Sequence, residues 1–409
     1  MVSGQHGLVF NSLNGNIFNY RSPRSLGALF VSGVFWFSKI PGKNKKTLVV
    51  VGLYPLLEIN LSKLKQNIET LQKKCSEWML KPVAVTKGFC ADYKITDLLY
   101  GSGIRSFADS NLSNLLKLID RFGHKAQYQL IRLPMKEEIN VIIENQIIPL
   151  VSQLEILNLF AQKTKQFHAQ SSVILAIETG DGREGFLPEE VLNNIDQIVS
   201  LDNIAIIGIG TSLACLSGVL PQIKTLEELS SLRNQLRLFL HNPHLFISVG
   251  GTTFFSLWEE CSQPPPVDQI RCGEAFLFGS DISRKRNLNW LQQGAFHIEA
   301  EIVEIKNKQP DSSDRGFDAF GRPGKMSSEK NYPRKRALVA VGLQDIDDTQ
   351  LFFEDRNVTI IGATSNYLVL DCEESQHDYR IGDLVRFQAG YGTVLRAFLS
   401  PYVQKRYIE

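Results

Sequence analysis

The sequence predicts an α/β fold, a TIM-like (β/α)8 barrel followed by a C-terminal all-β domain. Three observations carry this. Eight short, apolar, β-branched runs alternate with amphipathic stretches between residues 83 and 271, the pattern of parallel strands joined by crossover helices. From about Phe296 that alternation stops, and strands joined by turns replace it. A chain of 409 residues is also long enough for two domains and a large core.

Residues 1–54 differ from the rest. They are Asn/Ser/Arg-rich over 11–24, then apolar in "LGALFVSGVFWF" (26–37). That run is too short to span a bilayer and has no A-x-A cleavage pattern. The expectation is a poorly ordered extension. A first unit at 55–294 opens with a strand, "LLEIN" (56–60), and a helix over 61–75 that pack outside the barrel. The barrel strands are read at Val83–Thr86, Ser106–Ala108, Gln129–Arg132, Ile147–Leu150, Val173–Glu178, Ile204–Ile209, Leu245–Val249 and Gln269–Arg271. Helices such as "SNLLKLIDRF" (113–122), "LEILNLFAQKTK" (154–165) and "LEELSSLRNQLRLFL" (226–240) carry apolar residues at three- and four-residue spacing. A second unit at 295–409 holds strands near 296–307, 335–342, 358–372 and 382–390, with a long Gly/Pro/Ser loop at 307–335.

Apolar residues make up 43% and charged residues 21%, with a net charge of +1. This is ordinary for a globular enzyme, and no nucleic-acid or membrane partner follows from it. Six cysteines are scattered without a C-x-x-C pair, which suits a reduced, cytoplasmic chain. His241 and His244 flank Pro243 with no third ligand in view, so no metal site is expected.

Chemistry in such barrels gathers at the carboxyl ends of the strands. Those ends carry Lys87, Asp109-Ser110, Arg132, Ser152, "TGDGREG" (179–185), "GTSLAC" (210–215), "GGTT" (250–253) and "RCGEAF" (271–276). Each has a plain structural reading on its own: a strand-end lysine, a glycine turn, a surface arginine. Together they are more specific. Lys87 suits a Schiff base. Glycine-rich loops let backbone N–H groups approach a phosphate, and an arginine can face a ring nitrogen. The conjunction points to pyridoxal 5'-phosphate.

Further stretches sharpen this: "VAVTKGFCAD" (83–92), "FADSNLSNL" (107–115), "GDGREGFLPE" (180–189), "GIGTSLACLSGVLP" (208–221), "RCGEAFLFG" (271–279), "GFDAFG" (316–321), "DYRIGDLVRF" (378–387) and "LRAFLSPYVQKRYI" (395–408). In this order they resemble the alanine racemase-like, fold-type III pyridoxal-phosphate enzymes, most of all the ornithine/alanine racemase subgroup. The resemblance covers roughly residues 55–409. It implies a barrel and a β domain, an amino-acid substrate, and a homodimer in which one subunit's β domain closes the other's site. It places Lys87 as the Schiff-base lysine and Arg271 at the pyridine nitrogen. Gly273, Glu274, Thr211, Thr252, Thr253 and Tyr391 fall at cofactor-binding positions, the last with a one-residue shift. Arg183 falls near the substrate carboxylate and the second base.

One position departs from the resemblance. The family's β-domain tyrosine, a base from the second subunit, corresponds to Leu343 in "VGLQDID" (341–347), and "SNYLVLD" (365–371) replaces a Met-Asp pair. Leucine cannot carry a proton, so alanine is a poor candidate substrate and an ornithine-type or other amino acid a better one. Racemisation needs an acid–base group on each face of Cα. Lys87 suits one face, and Asp318, Asp345 and Cys215 are the candidates for the other. Two other readings stay open. One is a non-catalytic cofactor-binding protein, against which residues 296–409 argue. The other is a metal-assisted D-amino-acid aldolase, for which only His377 and Cys372 offer ligands.

Overall fold

The computed structural model describes residues 53–261, 263–309, 316–323 and 332–409. Before these it gives only the backbone of four short strands, Gly7–Phe10, Ile17–Tyr20, Phe35–Ser38 and Thr47–Val50. The expectation about residues 1–54 lies almost wholly outside the described residues.

Strand β1 (Leu56–Asn60) runs straight into α1 (Leu61–Glu77). Asn60 caps that helix by accepting from the Lys63 N–H at 2.9 Å. Leu64, Ile68, Leu71 and Cys75 form its buried stripe. Then come β2 (Lys81–Val85), α2 (Tyr93–Gly101), β3 (Ser106–Asp109), α3 (Leu112–Phe122), β4 (Gln127–Leu130), α4 (Ile139–Glu144), β5 (Ile148–Val151) and α5 (Leu154–Gln166). The second half continues with β6 (Ser171–Ala176), α6 (Pro188–Asn193), α7 (Ile195–Val199), β7 (Ile204–Ser212), α8 (Ile223–Phe239), β8 (Phe246–Gly250), α9 (Thr253–Glu259), β9 (Gln269–Cys272) and α10 (Glu274–Phe278).

Strands β2 to β9 close into a barrel, β9 pairing in parallel with β2. All eight expected strands are present. Two small apolar clusters fill the interior, one of Val83, Val85 and Ala108, the other of Leu150, Ile174 and Ala176. The main core lies outside, between barrel and helices.

The β domain holds β10 (Phe296–Lys308), β11 (Arg334–Val339), β12 (Leu351–Phe353), β13 (Thr359–Ala363), β14 (Leu368–Asp371), β15 (Leu384–Ala389), α11 (Tyr391–Leu399) and β16 (Gln404–Ile408). Its sheet order is β12-β15-β10-β11-β14-β13. The barrel and the C-terminal sheet match the expected fold. Two features differ in detail. The domain contains a nine-residue helix, α11. And β1, which precedes the barrel, pairs with β10 and β16 inside the C-terminal sheet. Glu58 on β1 fixes this junction. Its buried carboxylate accepts from Arg386 at 2.5 Å and from Arg406 at 2.7 Å, and these partners hold its pKa down although burial pushes the other way. Beside it, α11 rests on the Lys87 turn, where Phe398 packs edge-on to Phe89.

Candidate active site

Lys87 opens a single 3-10 turn, Lys87–Phe89, immediately after β2. It is half-buried, and among the described residues no hydrogen bond or ion pair engages its ammonium. Beside it, Asp109 at the end of β3 is fully buried. Asp109 accepts from Thr86 Oγ1 at 2.6 Å, the Asn111 N–H at 2.7 Å and Asn114 Nδ2 at 3.3 Å. Burial raises its pKa against these bonds and against the nearby Lys87 charge.

Arg271 on β9 is 2% exposed. Its Nη1 donates to Ser248 O (3.0 Å) and Ser248 Oγ (2.7 Å), and its Nη2 donates to Thr211 O (2.7 Å) and Ser212 Oγ (3.1 Å). Four bonds use the four terminal protons, which leaves the Nε–H for a ligand. Burial pulls its pKa down to about 10, still charged at neutral pH. Glycine makes the passage possible. A Cβ at Gly250 would sit 2.5 Å from Ser212 Oγ and 2.8 Å from Arg271 Nη2.

The loops around this floor contain the remaining predicted residues. Thr211 Oγ1 hydrogen-bonds Thr179 Oγ1 at 2.6 Å. Thr252 Oγ1 accepts from the Ala275 N–H at 3.1 Å and so ties the loop after β8 to α10. Thr253 Oγ1 is buried with no hydrogen-bond partner, and Gly251 before it has φ +120°, a conformation that favours glycine. Gly273 precedes α10, where a Cβ would press to 3.1 Å from Val85 O. Glu274 points its carboxylate away, accepting from Ser280 Oγ (2.9 Å) and the Ile282 N–H (2.7 Å). Burial pushes its pKa up to about 7. Tyr391, at the start of α11, lies over the Lys87 turn. A Cβ at Gly88 would come within 3.0 Å of the Tyr391 ring. Burial pushes the Tyr391 hydroxyl up to about 12, aided by the charges of Asp109, Cys215 and Glu274. These groups therefore gather at the carboxyl ends of the barrel strands.

Opposite Lys87 the loop after β6 carries Arg183. Its guanidinium binds Glu184 through Nε and Nη2, and Nη1 lies 2.6 Å from Cys215 Sγ. A residue that sequence reasoning missed holds this corner. Asp181, 2% exposed, accepts from the N–H groups of Cys215, Leu216 and Ser217 at 3.1–3.2 Å and so staples the two loops. Its spacing inside "TGDGREG" gives no sign of a partner more than thirty residues away. The other candidates lie elsewhere. Asp318, in a β-domain loop, accepts from Arg322 Nε at 3.0 Å, and Arg322 also reaches Asp348 at 3.1 Å. Asp345 is buried and accepts from Ser400 Oγ at 2.6 Å. Arg132 forms a two-pronged pair with Glu138, at 2.7 and 2.5 Å. His377 packs on Tyr379, and the thiol of Cys372 is buried and pushed up to about 11.

An unpaired lysine, an orphaned buried threonine hydroxyl, a glycine cradle and an arginine with one spare N–H fit pyridoxal phosphate. Residues 59–281 match the family model "Alanine racemase, N-terminal domain". An ornithine racemase from Acetoanaerobium sticklandii is 32% identical over 86% of this chain and 99% of its own. A lysine racemase from Thermotoga maritima is 32% identical over 87% and 99%. Among solved structures, an alanine racemase from Bartonella henselae with covalently bound pyridoxal phosphate superposes with a TM-score of 0.68 at 16% identity, covering 86% of this chain and 99% of that one. The chain belongs to the alanine racemase N-terminal domain family and is a pyridoxal 5'-phosphate-dependent amino-acid racemase, an isomerase.

Proposed function

We propose that this racemase acts on basic amino acids of the ornithine and lysine type. We also propose that Lys87 carries the cofactor and serves one face of the substrate, and that two copies of the chain complete each site. The observation that carries the substrate class is the pair of relatives, an ornithine and a lysine racemase, each aligned over 99% of its length. When bound, the cofactor draws off the electron pair left at Cα and so acidifies the α-hydrogen.

The chain's own groups do the rest. Arg271 would hold the ring nitrogen through its Nε–H, and a guanidinium does not give up that proton. The acid–base groups must then carry more of the catalysis. The Thr253 hydroxyl, Thr252, Thr211, the backbone at Gly273-Glu274 and the Tyr391 hydroxyl would grip the phosphate. Arg183 would meet the substrate carboxylate. Lys87 would move a proton at Cα on one face of the substrate.

The dimer reading rests on exposed apolar groups at two places. Phe317 (76% exposed), Phe320 and Tyr367 stand out from the β domain, and Leu216 (69% exposed) and Val219 from the loop at the barrel mouth. A cytoplasmic setting is supported by the six cysteines, all of which are free thiols. Among the described residues no helix is long and apolar enough to cross a membrane.

The test is a panel of L-amino acids incubated with the holoenzyme in deuterated water. D-Ornithine and D-lysine should form with deuterium at Cα. Turnover of alanine with neither basic amino acid consumed would contradict the substrate class.

A further inference from the structure

A two-face proton transfer needs a group across from Lys87, and Leu343 cannot supply it. We infer that Cys215 is that group, with the Arg183 guanidinium donating to its sulfur. The inference rests on the racemase reading above.

Placement comes first. Around the closed barrel the strand order runs β7-β8-β9-β2. Cys215 follows β7 and Lys87 follows β2, so they stand three strands apart in a ring of eight, at the same end of the barrel. Cys90 is excluded by the same argument, since it ends the Lys87 turn itself. Asp109 is excluded too, since β3 is the next strand to β2 and its carboxylate is tied to Thr86, Asn111 and Asn114.

The Cys215 loop is built rather than loose. Asp181 fixes its backbone by accepting three successive N–H groups, from Cys215 to Ser217. Glu184 occupies the Nε and Nη2 edge of Arg183, which aims the remaining Nη1 at the sulfur, 2.6 Å away. The Nη1 donor fixes where the sulfur stands. The charged groups around the pair are Glu184, Asp181 at 4.0 Å from Arg183 Nε, and Glu178, which accepts from the Arg183 N–H at 3.0 Å. The pair lies on the loops after β6 and β7, at the same end of the barrel as Lys87 and Arg271. Asp318 and Asp345, the other candidates, are committed to Arg322 and Ser400.

In one direction the Cα–H bond breaks and its proton passes to the Cys215 thiolate, giving a thiol. The electron pair stays with Cα and is stabilised by the bound cofactor. The Lys87 ammonium then delivers a proton to the opposite face and is left as the amine. The reverse reaction restores both groups.

The experiment uses Cys215→Ala and Arg183→Gln holoenzymes with confirmed cofactor content. In Cys215→Ala, racemisation should fall by roughly a hundredfold or more with KM little changed. Exchange of the α-hydrogen with deuterated water should persist from one enantiomer and vanish from the other. A structural role would depress both alike. Independently of turnover, iodoacetamide should label Cys215 rapidly at neutral pH in the wild type and several-fold more slowly in Arg183→Gln. Equal exchange from both enantiomers in Cys215→Ala, whether retained or lost, overturns the proton-transfer role. Unchanged labelling in Arg183→Gln overturns the role of Arg183. A wild-type holoenzyme that exchanges no amino-acid α-hydrogen overturns the racemase reading itself, and this inference with it.

Discussion

Arg271 and Lys87 end adjacent strands of one barrel, with Arg271 directly paired to Val83 on β2, yet their treatment is opposite. The arginine is 2% exposed and makes four hydrogen bonds. The lysine is half-buried and has no partner among the described residues. A buried charge is tolerable only when its donors are satisfied, so Arg271 is part of the floor that folding builds. A strand-end ammonium with no hydrogen bond or ion pair contributes little to folding and stays free for a ligand. The protein separates groups that hold the site's shape from groups that react, and substitutions should separate them too.

Arg271→Ala should give the largest loss of stability. It removes four hydrogen bonds, two of them to the Thr211 and Ser248 carbonyls, and opens a buried cavity, at a cost of about 3 kcal/mol or more by chemical denaturation. A loss under about 1 kcal/mol would break the contrast. Gly250→Ala comes next. Its Cβ would meet Ser212 Oγ at 2.5 Å and Arg271 Nη2 at 2.8 Å, so about 1–3 kcal/mol of overpacking is expected, with weaker cofactor uptake in a titration.

Glu274 tests the floor through pH. Burial lifts its carboxyl from the usual 4.5 to about 7. Between those values the folded chain keeps a proton that the unfolded chain has released. The stability contributed by this site is full below pH 4.5 and is lost as pH rises through 7. Glu274→Gln should therefore flatten the profile of unfolding free energy against pH between pH 5 and 7, by on the order of 2 kcal/mol. A profile as steep as that of the wild type would contradict the burial argument. Lys87→Ala should change stability least, by under about 0.5 kcal/mol, while abolishing covalent cofactor attachment.

The barrel was legible because its signal is local. Each strand is a short β-branched run ended by a turn, and all eight were found within a few residues of their bounds. Lys87 and Arg271 were legible for the same reason, as polar residues that end apolar strands. What the sequence hides is long-range partnership. The run "LLEIN" reads as a strand, but nothing local says that its edges pair with residues 296–299 and 404–408. Asp181 looks like loop polarity until a second loop, distant in sequence, is brought against it. The short helix α11 was missed because nine residues after a strand give too little periodicity to separate it from the β pattern.

The most direct test of the central claim, that the unpartnered strand-end lysine is the reactive one, is to locate the cofactor chemically. The holoenzyme is reduced with borohydride, digested and mapped by mass spectrometry. The account predicts one pyridoxyl group per chain, on Lys87 in the peptide that spans Val83–Asp92. A pyridoxyl group on any other lysine, or a Lys87→Ala protein that still retains a reducible cofactor linkage, would contradict it.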